Sequence, residues 1–439
     1  MVMSTLVDER HFAWEIMEET LAPPGASTAG KVAALAFLAG NGLSLVGNSL
    51  VMVALPWFVL ETTGSAGRTG IIGMTSALPA LIAGIFGGVL VDRLGGRRMS
   101  VVSDVSSGIA VLMVPLLYQT AGLSFPMLVA LVFAGAALDI PGVTARRALL
   151  PDLAEGARMR PEAMVSSFES MQSVAFIVGP VIAGGLIALI GSVNLLWITA
   201  TGFFLSALCV TVFAPEVRHT HATESAATGA IEELKAGWRH LRTDSLLLWL
   251  AVGLTAMNFL MTPFWGVALP VLVDERFGEA TQLGLLFTAM GLGSVAGAIA
   301  FGSVGHRFRH HRRMLYLLGV TSFCLMAWLF VLDLPYWLLL TIAFVEGCIS
   351  GPINPLLVTV RLERIPAALR GRVFATFSGL AAAAIPLGML GTGWILEYAG
   401  LERGLVAIAI VASVATIGLW LARPLHEMDT AGPVGESER

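Results

Sequence analysis

The chain has 439 residues, of which 56% are hydrophobic and only 13% are charged, and its formal net charge is −4. So few charged side chains cannot cover so much apolar surface in water, which excludes an ordinary soluble protein. Apolar runs of about twenty residues recur from residue 32 to residue 422. Because about twenty helical residues cross a bilayer core, the composition predicts a polytopic helical membrane protein.

About twelve apolar runs are predicted to be membrane spans, and they begin near residues 32, 69, 99, 125, 164, 193, 246, 282, 314, 336, 373 and 403. We predict a cytoplasmic tail at 1–30, a six-helix bundle at 31–214 and a cytoplasmic linker at 215–243. A second six-helix bundle at 244–423 and a cytoplasmic tail at 424–439 follow. The predicted fold class is therefore all-α and integral to the membrane.

Lys and Arg are distributed unequally over the predicted connections. The odd-numbered connections hold only Arg68, Arg276 and Arg403. The even-numbered connections hold many more basic residues, among them Arg93, Arg97, Arg98, Arg146, Arg147, Arg158, Arg160, Lys235, Arg239, Arg242, Arg307, Arg309, Arg312, Arg313, Arg361, Arg364, Arg370 and Arg372. Because basic connections stay in the cytoplasm, this asymmetry predicts that both termini are cytoplasmic, in the inner or plasma membrane of the cell.

A shift of 214 residues aligns the two halves of the chain. "VALPWFVLETTGSAGRTG" at 53–70 then matches "VALPVLVDERFGEATQLG" at 267–284 without a gap. The same shift pairs residues of a charged motif: Gly88 with Gly302 and Arg93 with Arg307. Since each half has an even number of spans, both halves cross the membrane in the same sense. This pseudo-symmetric architecture is expected to place a binding site between the halves, near the membrane midplane.

The charged motif between spans two and three reads "GVLVDRLGGRR", and its second copy has His306 where the first has Asp92. An acid at this point can cap the N-terminus of a neighbouring helix, whose unpaired N–H groups carry partial positive charge. Span eleven begins on the same face, and the arginines can pair with carboxylates such as Asp152. The alternative is that the arginines only set topology. The predicted cytoplasmic gate comprises Gly88, Asp92, Arg93, Arg97, Arg98, Gly302 and Arg307.

This motif resembles the signature of the major facilitator superfamily of secondary transporters. The gap before its basic pair is one residue longer than the commonest form, as in the branch of macrolide-efflux and enterobactin-exporter proteins. Three further stretches are similar to that branch, namely "ALPWFVLETTGSA", "ARRALLPDLA" and "LRGRVFA". The resemblance covers residues 32–422 and implies twelve spans in two bundles and export by alternating access. Asn48 departs from the branch, which often has an Asp there.

Polar residues recur on one face of span one, at Asn41, Ser44 and Asn48. The 214-residue shift carries this stripe to span seven, at Thr255, Asn258 and Thr262. We predict that both stripes line a cavity between the halves, with helix–helix packing as the alternative. The predicted cavity residues are completed by Trp265, Gln172, Ser350 and Asn354.

Four carboxylates lie within or close to predicted spans and are candidates for proton coupling. Glu346 is near the middle of span ten, and Glu169 lies about two turns into span five. Asp104 and Asp139 are placed nearer the cytoplasmic ends of spans three and four. Burial disfavours the charged form of a carboxylic acid, which brings proton exchange towards physiological pH. The alternative, strongest for Asp104 and Asp139, is that each acid satisfies a neighbour through hydrogen bonds.

The predicted function is secondary-active export of a lipophilic or weakly cationic small molecule in exchange for protons. An uptake symporter of the same fold is the nearest alternative, and a non-transporting membrane sensor or scaffold is the next. The sequence contains no nucleophile, phosphate-binding or metal-ligand pattern, so we predict neither an enzyme nor a cofactor or metal. The predicted partners are the small-molecule substrate, protons and membrane lipid, without nucleic acid, and the functional unit is predicted to be a monomer.

The gate hypothesis makes Asp92 the residue to change. Asp92→Asn weakens the acidic cap, so we expect the population to shift towards the inward-facing state. Cysteine accessibility measured from the two sides of the membrane reports this population. An unchanged accessibility would reduce Asp92 to an ordinary loop residue.

Overall fold

The computed structural model describes residues 28–215, 235, 237–304 and 310–429. Seven helices form the first half: α1 (Thr28–Thr63), α2 (Ala66–Leu94), α3 (Gly96–Thr120), α4 (Phe125–Ala137), α5 (Asp139–Ala157), α6 (Pro161–Ile190) and α7 (Ser192–Phe213). In the part described from residue 245 onwards, eight α-helices follow: α8 (Ser245–Pro263), α9 (Leu269–Arg276), α10 (Ala280–Val304), α11 (Arg312–Val331), α12 (Tyr336–Ser350), α13 (Ile353–Arg364), α14 (Arg370–Ala399) and α15 (Leu401–Leu421).

Eleven helical segments of the described chain are long and apolar enough to cross a membrane. The helix α2, with 29 residues, stands where the second span was predicted. Span four consists of α4 and α5, span ten consists of α12 and α13, and span seven joins α8 to α9 through a π-helical turn, Phe264–Ala268. The predicted all-α membrane fold is confirmed.

Span four and span ten are broken at equivalent points. Leu138 separates α4 from α5, and Gly351 and Pro352 separate α12 from α13. Proline has no backbone N–H and cannot bond to the carbonyl four residues earlier. Pro141 therefore leaves the carbonyl of residue 137 without its helical partner, and Pro352 does the same for residue 348. A shift of 214 residues carries Leu138 to Pro352. The sequence repeat therefore extends to an interruption of the backbone.

Glycines with positive φ mark the same turns in both halves. Gly64 (φ 61°) follows α1, and its equivalent Gly278 (φ 74°) follows α9. Gly191 (φ 82°) joins α6 to α7, and Gly400 (φ 79°) joins α14 to α15. This left-handed backbone conformation strains any residue that carries a Cβ, whereas glycine adopts it freely. The paired turns confirm that the two halves are structural repeats.

We call the end of the molecule at which α1 meets α2 and α14 meets α15 the distal end. Two helix pairs join the halves there, through glycines that bring backbones into contact. A Cβ placed on Gly70 of α2 would lie 2.7 Å from the carbonyl oxygen of Met389 in α14. A Cβ on Gly184 of α6 would lie 2.6 Å from the carbonyl oxygen of Ala280 in α10. The seams α2–α14 and α6–α10 are therefore tightly packed.

Within the second half, α10 and α12 pack with equal closeness. A Cβ on Gly347 would lie 2.2 Å from the carbonyl oxygen of Met290 and 2.8 Å from the backbone nitrogen of Ser294. Both neighbours are main-chain atoms, so they cannot rotate away. The contact requires glycine at position 347.

Gly347→Ala should destabilise the protein by about 1–3 kcal/mol, because overpacking forces the two backbones apart. Gly379→Ala in α14 is the matched control, since a Cβ there meets no atom within 4 Å. We expect this control to leave stability unchanged or to raise it by up to about 1 kcal/mol, because alanine favours helix. Thermal unfolding of the purified variants measures both effects, and equal melting temperatures would contradict the packing described for α10 and α12.

Candidate functional site

A cavity of about 470 Å³ lies between the two halves. Its wall comes from α1 to α5 and α7 of the first half and from α8, the π-helical turn and α14 of the second half. Aliphatic side chains form most of this wall, for example Val51, Met52, Leu55, Val111 and Val114. The polar side chains on the described wall are Asn48, Ser76, Ser107, Asp139 and Thr262. A bound molecule would therefore contact mainly apolar surface.

Asp139 is the one ionisable side chain on the described wall of the cavity. It is the first residue of α5, at the break in span four, and its side chain is half-buried. The hydroxyl of Ser107 lies 3.4 Å from its carboxylate as a donor, and Asn48 faces it from α1. The unpaired N–H groups at the start of α5 also favour a negative charge at this position. Asp139 is thus held by polar groups in an otherwise apolar cavity.

The sequence predicts that Asp139 lies nearer the cytoplasmic end of span four, and its depth in the membrane stays a prediction. Asp139 lies near the middle of the 33-residue helical segment Phe125–Ala157. The apolar run ends at the break, but α5 continues as a helix through the more polar stretch to Ala157. Hydropathy therefore underestimates how far the helical segment extends beyond Asp139.

Asp104 and Arg146 form a buried ion pair in the first half, and they are only 1% and 2% exposed. Arg146 also donates a hydrogen bond of 3.0 Å to Ser44 of α1. Ser44 and Ser206 donate to the two carboxylate oxygens of Asp104, at 2.9 and 2.6 Å. This network joins α1, α3, α5 and α7, and it neutralises Asp104. The geometry of Asp104 therefore fits the alternative to proton coupling, in which the acid has a structural role.

Arg146 lies buried within α5 and not in the predicted cytoplasmic connection. Arg146 and Arg147 are neighbours in α5, but a helix turns by about 100° per residue, so they face different surroundings. Arg147 is 51% exposed and pairs with Glu169 at 3.0 Å. The spacing of seven residues between Asp139 and Arg146 puts both on one face of α5, and this signal could have identified the buried arginine.

Glu169 and Glu346 both lie off the described cavity wall, and they differ in exposure to solvent. Glu169 is 50% exposed and pairs with Arg147. Glu346 is only 2% exposed, with Ser350 of the same helix beside it and no ion-pair partner within the described chain. Glu346 belongs to α12, which packs on α10, and it does not reach the described cavity wall.

Of the two predicted polar stripes, only Asn48 and Thr262 reach the cavity wall. Asn41 is fully buried, and Ser44 belongs to the Asp104 network. The cavity begins at Asn48 and extends towards the distal end, so Asn41 lies about 10 Å too far along the helix axis. The remaining predicted cavity residues lie off the described wall: Thr255, Asn258, Gln172, Ser350, Asn354 and Trp265.

Trp265 shows why a helical face alone did not locate the cavity. It lies in the π-helical turn of span seven, and its ring centroid is 5.5 Å from that of Phe287. Phe264, Phe323 and Phe330 extend this aromatic cluster within the second half. The neighbouring Gly266, which the sequence analysis did not select, is the residue of this turn that lines the cavity.

The described residues only partly cover the predicted cytoplasmic gate. Arg97 donates a hydrogen bond to the carbonyl oxygen of Thr211, and Arg93 and Arg98 are exposed. Gly88 lies in α2 and Gly302 in α10. The side chain of Asp92 is outside the description, and so are His306 and Arg307. The gate therefore stays a prediction.

The buried pair predicts a distinctive pattern of stability. Arg146→Gln leaves a buried carboxylate without its partner and should cost about 3–5 kcal/mol. The double variant Asp104→Asn/Arg146→Gln should recover most of this loss, because it leaves no unpaired charge. Arg147→Gln, which breaks the half-exposed pair with Glu169, should cost about 1 kcal/mol at most. Thermal unfolding of the purified variants measures these losses, and additive losses in the double variant would contradict the pairing.

Comparison with known proteins agrees with this architecture. The sequence profile of the Major Facilitator Superfamily matches residues 37–278 and 254–438. The multidrug efflux pump Tap of Mycolicibacterium fortuitum is 32% identical over 397 residues, which cover 88% of this chain and 94% of that protein.

Two solved structures share the fold. The nucleoside transporter NupG has a TM-score of 0.70 at 14% identity and covers 89% of this chain and 98% of its own. A D-xylose–proton symporter has a TM-score of 0.67 at 14% identity, with 91% and 99% covered. The chain therefore belongs to the Major Facilitator Superfamily and is a multi-pass membrane transporter.

Proposed function

We propose that this transporter exports a lipophilic or weakly cationic small molecule in exchange for protons, with Asp139 as the acid that carries the proton. One observation supports this most strongly: Asp139 is the one ionisable group on the described wall of a largely aliphatic cavity. The chain is 32% identical to a protein named as a multidrug efflux pump, which supports export and a drug-like substrate.

The physical basis of coupling is competition for one carboxylate. When Asp139 is ionised in an apolar cavity, a proton or a cationic group of the substrate can neutralise it. Binding of one then opposes binding of the other. A proton taken up from the outside would release the substrate there, and a substrate taken up from the cytoplasm would displace the proton. Aliphatic contacts with Val51, Met52, Leu55 and their neighbours supply affinity that does not depend on charge.

Asp104 and Arg146 are assigned a positioning role. Their charges act on Asp139, and they lie on the side of α5 and α3 that faces the interior of the first half. Because Asp104 is already neutralised by Arg146, it is a poorer proton carrier than Asp139. Glu169 is likewise paired, with Arg147. Glu346 is unpaired but lies away from the described cavity wall, so it is kept as the second candidate.

Transport by alternating access would move the bundles at 31–214 and 244–423 relative to each other around the cavity. The basic residues of the even-numbered connections support cytoplasmic termini in the inner membrane, so that the distal end faces outside. We assign the transport function to a monomer surrounded by lipid, because the cavity lies within one chain.

Purified protein in liposomes that contain a pH dye tests the coupling. With a proton gradient imposed, tetraphenylphosphonium and lipophilic amines should drive proton movement in wild type. Asp139→Asn should reduce it to the level of empty liposomes, because the amide cannot exchange a proton. Glu169→Gln is the matched control and should retain the coupled flux.

Two outcomes would contradict the proposal. Substrate flux that is indifferent to the gradient in wild type would exclude proton coupling. Coupled flux that survives in Asp139→Asn but is lost in Glu346→Gln would transfer the proton-carrying role to Glu346.

A further inference from the structure

The distal end contains a hydrogen-bonded contact between the two halves. Glu397, near the end of α14, accepts hydrogen bonds through Oε2 from the backbone N–H of Gly67 and from the hydroxyl of Ser65, both at 3.0 Å. Ser65 is the N-cap of α2 and itself accepts a 3.1 Å bond from the N–H of Arg68. A carboxylate of the second half therefore caps a helix of the first half.

The physical chemistry of this contact favours a charged group. The first N–H groups of a helix have no partner within the helix and carry partial positive charge. Hydrogen bonds to a carboxylate at such a site are stronger than those between neutral groups. Because donor and acceptor belong to different halves, separation of the halves at the distal end breaks both bonds.

The capped contact continues directly into the wall of the cavity. One turn below it, Gly70 and Gly393 bring α2 and α14 together, so that a Cβ on Gly393 would lie 2.8 Å from the Cα of Gly70. Next, Met389 lies against Gly73 on one side and Gly266 on the other, and all three line the cavity. Separation of this seam would therefore connect the cavity with the distal side.

We propose that Glu397 is the latch of a distal gate, which keeps the cavity closed on that side until α14 and α2 separate. This goes beyond the transport function and assigns a role to a residue outside the cavity. With this assignment, α2 and α14 would each supply an acid that caps the start of the other helix. The sequence predicts that Asp92 of α2 caps the start of α14 at the opposite end, whereas Glu397 of α14 caps the start of α2.

A cysteine on the cavity wall reports opening of the gate. Ser76 lines the cavity and is exposed, so Ser76→Cys can be placed in a variant whose three native cysteines, Cys209, Cys324 and Cys348, are replaced by alanine. The rate of labelling by a membrane-impermeant maleimide is then measured from the distal side. The measurement needs neither substrate nor a proton gradient, so a failure of the export proposal would leave it unaffected.

Glu397→Ala should raise the distal labelling rate several-fold, because both bonds between the halves are lost. Glu397→Gln keeps the shape but loses the charge, and Ser65→Ala removes one of the two donors, so both should give smaller increases. Glu402→Ala is the matched control, since Glu402 lies in the first turn of α15 at the same end. It should label at the parental rate.

A distal labelling rate in Glu397→Ala that equals or falls below that of Glu402→Ala would overturn the proposal. Parental labelling rates in both Glu397→Gln and Ser65→Ala would also overturn it, even if Glu397→Ala failed to fold. Gel filtration and the melting temperature of each variant establish that the labelled protein is folded.

Discussion

The ion pair between Asp104 and Arg146 is the interaction on which the candidate site depends. A charge buried in a membrane bundle has no water to solvate it, so it must be paired within the protein. Arg146 neutralises Asp104, and Ser44 and Ser206 donate further hydrogen bonds to its carboxylate oxygens. Because this network ties α5 to α3, it also fixes the start of α5, about two turns away, where Asp139 meets the cavity.

The two halves share a backbone plan but differ in chemistry. Both interrupt one span at equivalent positions and use glycines with positive φ at equivalent turns. The 214-residue shift, however, carries Asp104, Asp139 and Arg146 to Leu318, Ile353 and Val360. The first half therefore holds the charged groups of the candidate site. The second half contributes apolar wall and Thr262, together with the glycine seams along which the halves meet. Such a division suits a carrier in which one half binds and the other half closes over the cavity.

Much of the fold was predictable from the sequence. The bilayer imposes a length on each span, and the 214-residue repeat lets each span of one half be checked against its equivalent in the other. The depth and the partner of an individual charged residue were harder to predict from the sequence. Arg146 and Arg147 are adjacent in sequence, yet one is buried with Asp104 and the other is half-exposed beside Glu169. Their orientation depends on the register of α5, which is set by the break at Leu138 and not by hydropathy. Glu346 was identified as buried from its position in an apolar run, but its separation from the cavity depends on how α12 packs against α10.

In the proposed function, Asp139 exchanges a proton for the substrate. Isothermal titration calorimetry of the purified transporter with a lipophilic cation, performed in buffers of different protonation enthalpy, counts the protons released on binding. We predict that wild type releases protons when it binds the cation and that Asp139→Asn releases none. Proton release in Asp139→Asn that equals the wild-type value would contradict the account.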